Sequence, residues 1–182
     1  MNQSQQLFGN PSERAASKVR DHMVPWIMDF IRNSPFLVMS TSDKSGNCDA
    51  SPKGGLPGFV KVLSETELLL PDVAGNKLFQ SYENFESNPK VGLVFFIPGI
   101  NATARVNGAV SILRAGNPEF EALGLEVYTP DEKAKILQAI KISVHESYSQ
   151  CPRALGFSGL WNGDTIARNV EHSPIGKWVA GT

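Results

Sequence analysis

Three short stretches of the chain set cationic or amide side chains beside glycine. SPKGGLPG at 51–58 carries Lys53, PDVAGNK at 71–77 carries Asp72, Asn76 and Lys77, and RVNG at 105–108 carries Arg105 and Asn107. A phosphate dianion needs charge-assisted donors and close approach of the backbone; lysine and arginine supply the charge, and glycine permits the approach. Asn76 and Lys77 also stand where a short helix is expected to open, and the free N–H groups and dipole of a helix start favour an anion. Each stretch alone has an ordinary structural explanation. Glycine–proline clusters make turns, an asparagine before a helix caps it, and an arginine on a strand is solvated.

Other chemistries find little support. SPKGGLPG is not a P-loop, because no GK[ST] follows its glycines, and the chain has neither a GxSxG elbow nor a GxGxxG fingerprint. His22, His145 and His172 are scattered and make no HxxxH or HxH pattern, so no metal site is expected. Cys48 and Cys151 are expected to be free thiols, as in a reducing compartment. No acid–base dyad is visible.

The elements that must position these residues are mostly short and extended. Residues 1–10 read as a flexible tail, with one domain over 11–182. Asn10, Pro11 and Glu13 have capping-box spacing, and Val19, Met23, Trp26, Ile27 and Phe30 recur at helical spacing, predicting a helix over 11–32 kinked at Pro25. FLVMSTS (36–42), the turn DKSGN (43–47) and CDASPK read as a hairpin. FVKVL (59–63) and LLLP (68–71) follow as strands, then a helix over about 77–86 with Leu78, Tyr82 and Phe85 on one side, broken by NPK. VGLVFFI (91–97) is apolar at nearly every position, as a strand covered on both faces would be. TARVNGAVSIL (103–113) continues the sheet and Asn117–Leu123 makes a helical turn. TPDE at 129–132 opens a helix over 130–139 before the alternating strand at Ile140, Ile142 and Val144; CPRALGF reads as a helix and the tail from Asn162 as loop. Short strands at hairpin spacing with few helices predict a mainly β fold, a small antiparallel barrel with flanking helices.

Composition fits a soluble globular chain: 182 residues, 41% hydrophobic, 19% charged, net charge −1. That charge argues against general nucleic-acid binding. MNQSQQLFGN has no leader character and no apolar run is long enough to cross a bilayer, so the expected place is the cytoplasm, away from membranes.

The order of the motifs says more than each one. PFLVMSTSDKSGNCDASPKGGLPGFVKV, then LLLPDVAGNKLFQSYENFESNPKVGLVFFIPG, then ARVNGAV, resembles the pyridoxamine 5′-phosphate oxidase-like, FMN-binding split-barrel family, over about Ser34 to Leu113. CPRAL at 151–155 is similar to the CPKAL stretch of one branch of that family. The resemblance implies a six-stranded antiparallel split barrel of Greek-key type with FMN as cofactor. It implies that Ser51, Pro52 and Lys53 lie along the flavin, with Pro71 and Asp72 near the ring system. Asn76 and Lys77 match the phosphate positions, and Lys53 or Arg105 completes the charge. It further implies a homodimer with the flavin between subunits, so that Arg153 could reach the partner's cofactor.

The true pyridoxamine phosphate oxidases carry an R-x-x-x-L-K strand and an R-L-x-P ending, whereas this chain ends SPIGKWVAGT, so pyridoxamine phosphate is not the expected substrate. The expected activity is FMN-dependent hydride or electron transfer to a small molecule not named by the sequence. The alternatives are a flavin store or sensor without turnover, or the same barrel holding F420 or haem, with His145 the first candidate haem ligand.

Overall fold

The computed structural model describes residues 2–73, 78–123, 125 and 136–176, Leu137 by its backbone alone. Seven strands form one sheet: β1 (Phe36–Ser42), β2 (Cys48–Gly54), β3 (Lys61–Val62), β4 (Glu67–Val73), β5 (Lys90–Phe96), β6 (Thr103–Arg114) and β7 (Ile136–Gln150). Their order is β2-β1-β5-β6-β7-β4-β3, and all neighbours are antiparallel. This is the expected mainly β, split-barrel architecture with one strand more than six. The chain crosses from one flank of the sheet to the other after β2 and returns after β4 through helix α4 (Gln80–Ser87).

Alternation explains which residues fill the barrel. Leu37 and Met39 of β1, Leu93 and Phe95 of β5, Ala104 and Val106 of β6, and Ile140 and Ile142 of β7 are buried on one face, and Leu68 and Leu70 of β4 join them. β5 was expected to be covered on both faces. Instead Val91, Leu93 and Phe95 are buried while Gly92, Val94 and Phe96 are half-exposed. On the outer face of β4, β6 and β7, Leu69, Leu113 and Ala139 pack with Phe120, Leu123 and Leu125, beside helix α5 (Pro118–Ala122).

The helices differ most from expectation. Residues 11–32 are not one kinked helix. Helix α2 (Glu13–Ala16) is capped by Ser12 rather than Asn10, and helix α3 (Pro25–Asn33) starts anew with Pro25 in its first turn, where a missing N–H costs nothing. Between them Arg20 pairs with Ser147 of β7 in an antiparallel bridge, which a continuous helix would preclude. Within the segment read as a tail, Gln3–Phe8 form helix α1, which buries no residue. The helix expected over 130–139 does not extend to its end. Residues 126–135 lie outside the described residues, and 136–139 already belong to β7, where buried Ala139 faces Pro71 and Leu113. After helix α6 (Arg153–Ser158), the segment read as loop holds helix α7 (Gly163–Glu171), capped by Asn162.

The β1–β2 hairpin turn is as read. Asp43 accepts from the backbone N–H groups of Ser45 (2.8 Å) and Asn47 (2.9 Å) and from Asn47 Nδ2 (2.8 Å), and Gly46 takes a positive φ of 87° that favours glycine. Those donors, the Asn47 side chain first, hold the Asp43 carboxyl below its ordinary pKa of 3.8. The lowered value means that ionised Asp43 stabilises the fold above pH 3.8 and that this contribution fades as the pH falls further. The melting-temperature gap between wild type and Asp43→Ala should therefore be present at pH 7 and narrow below pH 3.8, as thermal unfolding at both pH values would measure.

Candidate functional site

β2 is an edge strand, which is where a proline such as Pro52 is tolerated. Its register against β1 puts Lys53 opposite Leu37, Ser51 opposite Met39 and Asp49 opposite Thr41, so these three share the inner face and are half-buried. Pro52 faces outward and is exposed. Lys53 forms no hydrogen bond or ion pair with the described residues. Its side chain is half-buried and its ammonium has no partner among the described residues.

The glycines that follow have intramolecular duties. A Cβ at Gly55 would stand 2.8 Å from Phe59 Cβ, and Gly58 has a φ of +86°. Together they let Phe59 and Val60 turn into the barrel, where both are buried. Room for a ligand is therefore not the first reason for these glycines.

Pro71 and Asp72, both half-buried, end β4, with Asp72 on the same face as Leu68 and Leu70. Asn76 and Lys77 lie outside the described residues. The helix they were expected to open starts later: Phe79, at a φ of 51°, is the N-cap of α4, so its first-turn N–H groups belong to residues after Lys77. The break at Asn88–Pro89 ends α4 as read.

α4 joins the two flanks. Ser81 Oγ donates to Asp49 Oδ2 (2.8 Å) and Asn84 Nδ2 to Thr41 Oγ1 (2.8 Å), which fastens the helix to β2 and β1. On its other side the buried Tyr82 hydroxyl lies beside Asp72 and Gln138 without a partner at hydrogen-bonding geometry, while Gln138 Nε2 reaches Asp72 Oδ2 at 3.4 Å. Burial, and then the Asp72 carboxylate, push the Tyr82 phenol above its ordinary range. Ser81 and Gln138 were not singled out from sequence, and Tyr82 was read only as part of one side of the helix. The hairpin turn at 43–47 fixes the register that puts Asp49 on the face of Ser51 and Lys53, and that was the available signal.

Arg105 and Asn107 lie elsewhere. Cross-strand registers carry Pro52, Val38, Val94, Arg105 and Tyr148 across the outer face in one row, and Ala50, Ser40, Gly92, Asn107 and Glu146 in the next. Arg105 Nη1 donates to Gln150 Oε1 (3.0 Å) and its guanidinium lies 5.2 Å from the Tyr148 ring centroid. Its Nε is buried without a partner. Asn107 Nδ2 donates to Glu146 Oε1 (2.8 Å). Gly108 adjoins a bulge, and a Cβ there would run into the Ser143 carbonyl, which explains the glycine of RVNG by packing alone.

The structure thus brings Ser51 and Lys53 onto the inner face of β2, sets Asp72 on the inner face across α4, and leaves Pro71, Arg105, Asn107 and Pro52 on the outer face. Arg153 opens α6, exposed, with its guanidinium 5.1 Å from the centroid of the equally exposed Phe157. His145, the haem candidate, is exposed on β7. Cys48 and Cys151 are both exposed and unbridged. Among the described residues no helix is long and apolar enough to cross a membrane.

A family model described as pyridoxamine 5′-phosphate oxidase matches residues 23–151. No curated protein matches the chain. Among solved structures, a protein from Lactobacillus delbrueckii provisionally described as a pyridoxamine 5′-phosphate oxidase aligns at TM-score 0.54 and 18% identity, over 71% of this chain and 95% of that one. A variant of HupZ from Group A Streptococcus aligns at TM-score 0.53 and 17% identity, over 70% of this chain and 99% of that one. At these identities the two structures speak to the fold.

Proposed function

Since the chain belongs to the pyridoxamine 5′-phosphate oxidase family, we propose that it binds FMN and carries out FMN-dependent oxidation or reduction of a small molecule in the cytoplasm. The observation that carries this reading is Lys53: a half-buried, unpaired lysine on the inner face of an open sheet edge, with α4 tying that edge to the end of β4. A lysine ammonium left free in this way can take an anion, and the terminal phosphate of FMN, or a ring carbonyl that gains charge on reduction, supplies one.

The fit to FMN rests on unspent polar groups: the Lys53 ammonium, the buried Arg105 Nε and the buried Tyr82 hydroxyl. In this reading Lys53 and Lys77, with Asn76, hold the phosphate, Ser51 and Asp72 border the ring from the inner face, and Pro52 and Pro71, which face outward, border it only from a second copy. When bound, the flavin supplies the hydride or electron transfer, and the protein positions it and shields it from water. Arg105 and Asn107 face away from Lys53 within one chain, so they, like Arg153, serve a flavin only if a second copy presents its outer face. That favours a homodimer with the flavin between subunits. The half-exposed Val38, Val94 and Phe96 and the 39% exposed Phe36 would be covered in it.

The visible spectrum of freshly purified protein, with mass identification of what denaturation releases, tests the cofactor. Oxidised-flavin bands and released FMN are expected, whereas deazaflavin or haem would replace this reading. Bleaching under anaerobic NADH or NADPH supports a reductase, and persistent colour under every donor tried supports a flavin store. Light scattering should give twice the chain mass; a flavin-loaded monomer would refute the shared site.

A further inference from the structure

The geometry points to a second ligand site, independent of the flavin reading: the cleft between residues 17–27 and β7 binds a small planar aromatic carboxylate. The cleft has a volume of about 290 Å³, and Lys18, Arg20, Val24, Trp26, Ile27 and Ser149 are among the residues lining it. Its wall is pinned in place. Arg20 N–H donates to the Ser147 carbonyl (3.0 Å) and Ser147 N–H to the Arg20 carbonyl (2.7 Å), while Ser147 Oγ donates to the His22 carbonyl (2.6 Å) and Met23 N–H to the Glu65 carbonyl (2.7 Å).

The charge in this cleft is one-sided. Neither Lys18 nor Arg20 has an ion-pair partner among the described residues, and no carboxylate lines the cavity. The neighbouring Asp21 is engaged first by His22 at 2.8 Å, and Arg20 is the weakest of the groups that attract its carboxylate. The Ser149 hydroxyl makes no hydrogen bond within the described residues and is available as a donor. A guanidinium with its fork of N–H groups suits a carboxylate in two-point contact.

The rest of the lining selects for a ring. Trp26 is 47% exposed although its neighbour Ile27 is buried, and its ring is backed by Phe30 at a centroid distance of 5.2 Å. A supported indole beside Val24 and Ile27 offers a flat apolar surface on which an aromatic ring stacks. Cations at one part of the cavity and an indole at another match an aromatic acid better than a bare inorganic anion.

Benzoate is the probe, titrated calorimetrically into the full-length protein at low ionic strength. One saturable site is expected, with acetate bound at least about tenfold more weakly because it lacks the ring. Arg20→Ala, which keeps the backbone bridge to Ser147, should weaken benzoate about tenfold or more, and Lys18→Ala by a smaller factor. Lys53→Ala should leave benzoate binding unchanged. The proposal is overturned by no saturable benzoate binding, by an affinity indifferent to Arg20→Ala, by sulfate binding as well as benzoate, or by loss of benzoate in Lys53→Ala. The last result would put benzoate at the proposed flavin site, and none of the four bears on whether FMN binds.

Discussion

Lys77→Ala should weaken FMN binding about tenfold to a hundredfold and leave riboflavin nearly unchanged. The two flavins differ by a terminal phosphate that is close to dianionic at neutral pH, and a charge-assisted hydrogen bond contributes roughly 1.5–3 kcal/mol. Lys53→Ala should show a loss of similar size, and its pattern assigns the contact. A loss confined to FMN places the ammonium on the phosphate; equal losses for both flavins, with a shifted reduction potential, place it on the ring. Titration of apo-protein with both flavins at one ionic strength separates these results. Two solvated lysines would leave both affinities where they were, and FMN affinity unchanged in both variants would end the proposed site.

Phe95→Ala should be the most damaging substitution for stability among those considered. Phe95 is 0% exposed in the main core cluster, and removing a buried phenyl ring costs about 3–5 kcal/mol, because transfer energy is lost and a cavity is left. For a chain of this size that lowers the melting temperature by roughly 6–20 °C. Its neighbour Phe96 points the other way, is half-exposed and lies 6.1 Å from Phe36 in ring-centroid distance. Phe96→Ala should therefore cost much less in the isolated chain and act on association. Thermal unfolding and light scattering of the two variants distinguish them. Equal destabilisation without a change of mass would contradict the assignment of the two faces.

The parts of the fold that sequence made legible are those in which local chemistry and long-range packing agree. Asp43, Gly46 and Asn47 specify the first hairpin by themselves, and the alternation of Ile140, Ile142 and Val144 in β7 follows from burial on one side, whereas the apolar run of β5 hid the alternation that its one buried face imposes. α7 was missed because it buries nothing: Ile166 and Val170 are exposed, and only the Asn162 side chain accepting from Thr165 N–H at 2.8 Å marks its start. The helix expected at 130–139 failed at its far end for the opposite reason. A capping pattern at Thr129–Glu132 says where a helix begins and nothing of where a sheet takes over, and Gln138 and Ala139 are claimed by β4 and β6.

The candidate site divides along the same line. The motif SPKGG drew attention to Lys53, but its first four residues are the end of strand β2, and Gly55 and the later Gly58 serve Phe59 and a positive φ. The faces of Lys53 and Arg105 depend on strand register across β2, β1, β5 and β6, which no single motif encodes.

The strand order also dictates when the molecule can fold as it emerges from the ribosome. The β3–β4 hairpin precedes β5 and β6 in the chain, yet β4 joins the sheet through β7, with Leu68 meeting Ile142 and Leu70 meeting Ile140. Until residues 136–144 have been synthesised, Leu68 and Leu70 have no strand on that side to lie against. Pairings so distant along the chain close large loops before any contact rewards them, which slows folding and prolongs exposure of apolar strands. A nascent chain stopped short of β7 should hence carry a sticky, half-assembled hairpin, and release of the last quarter of the chain is the step that commits the barrel.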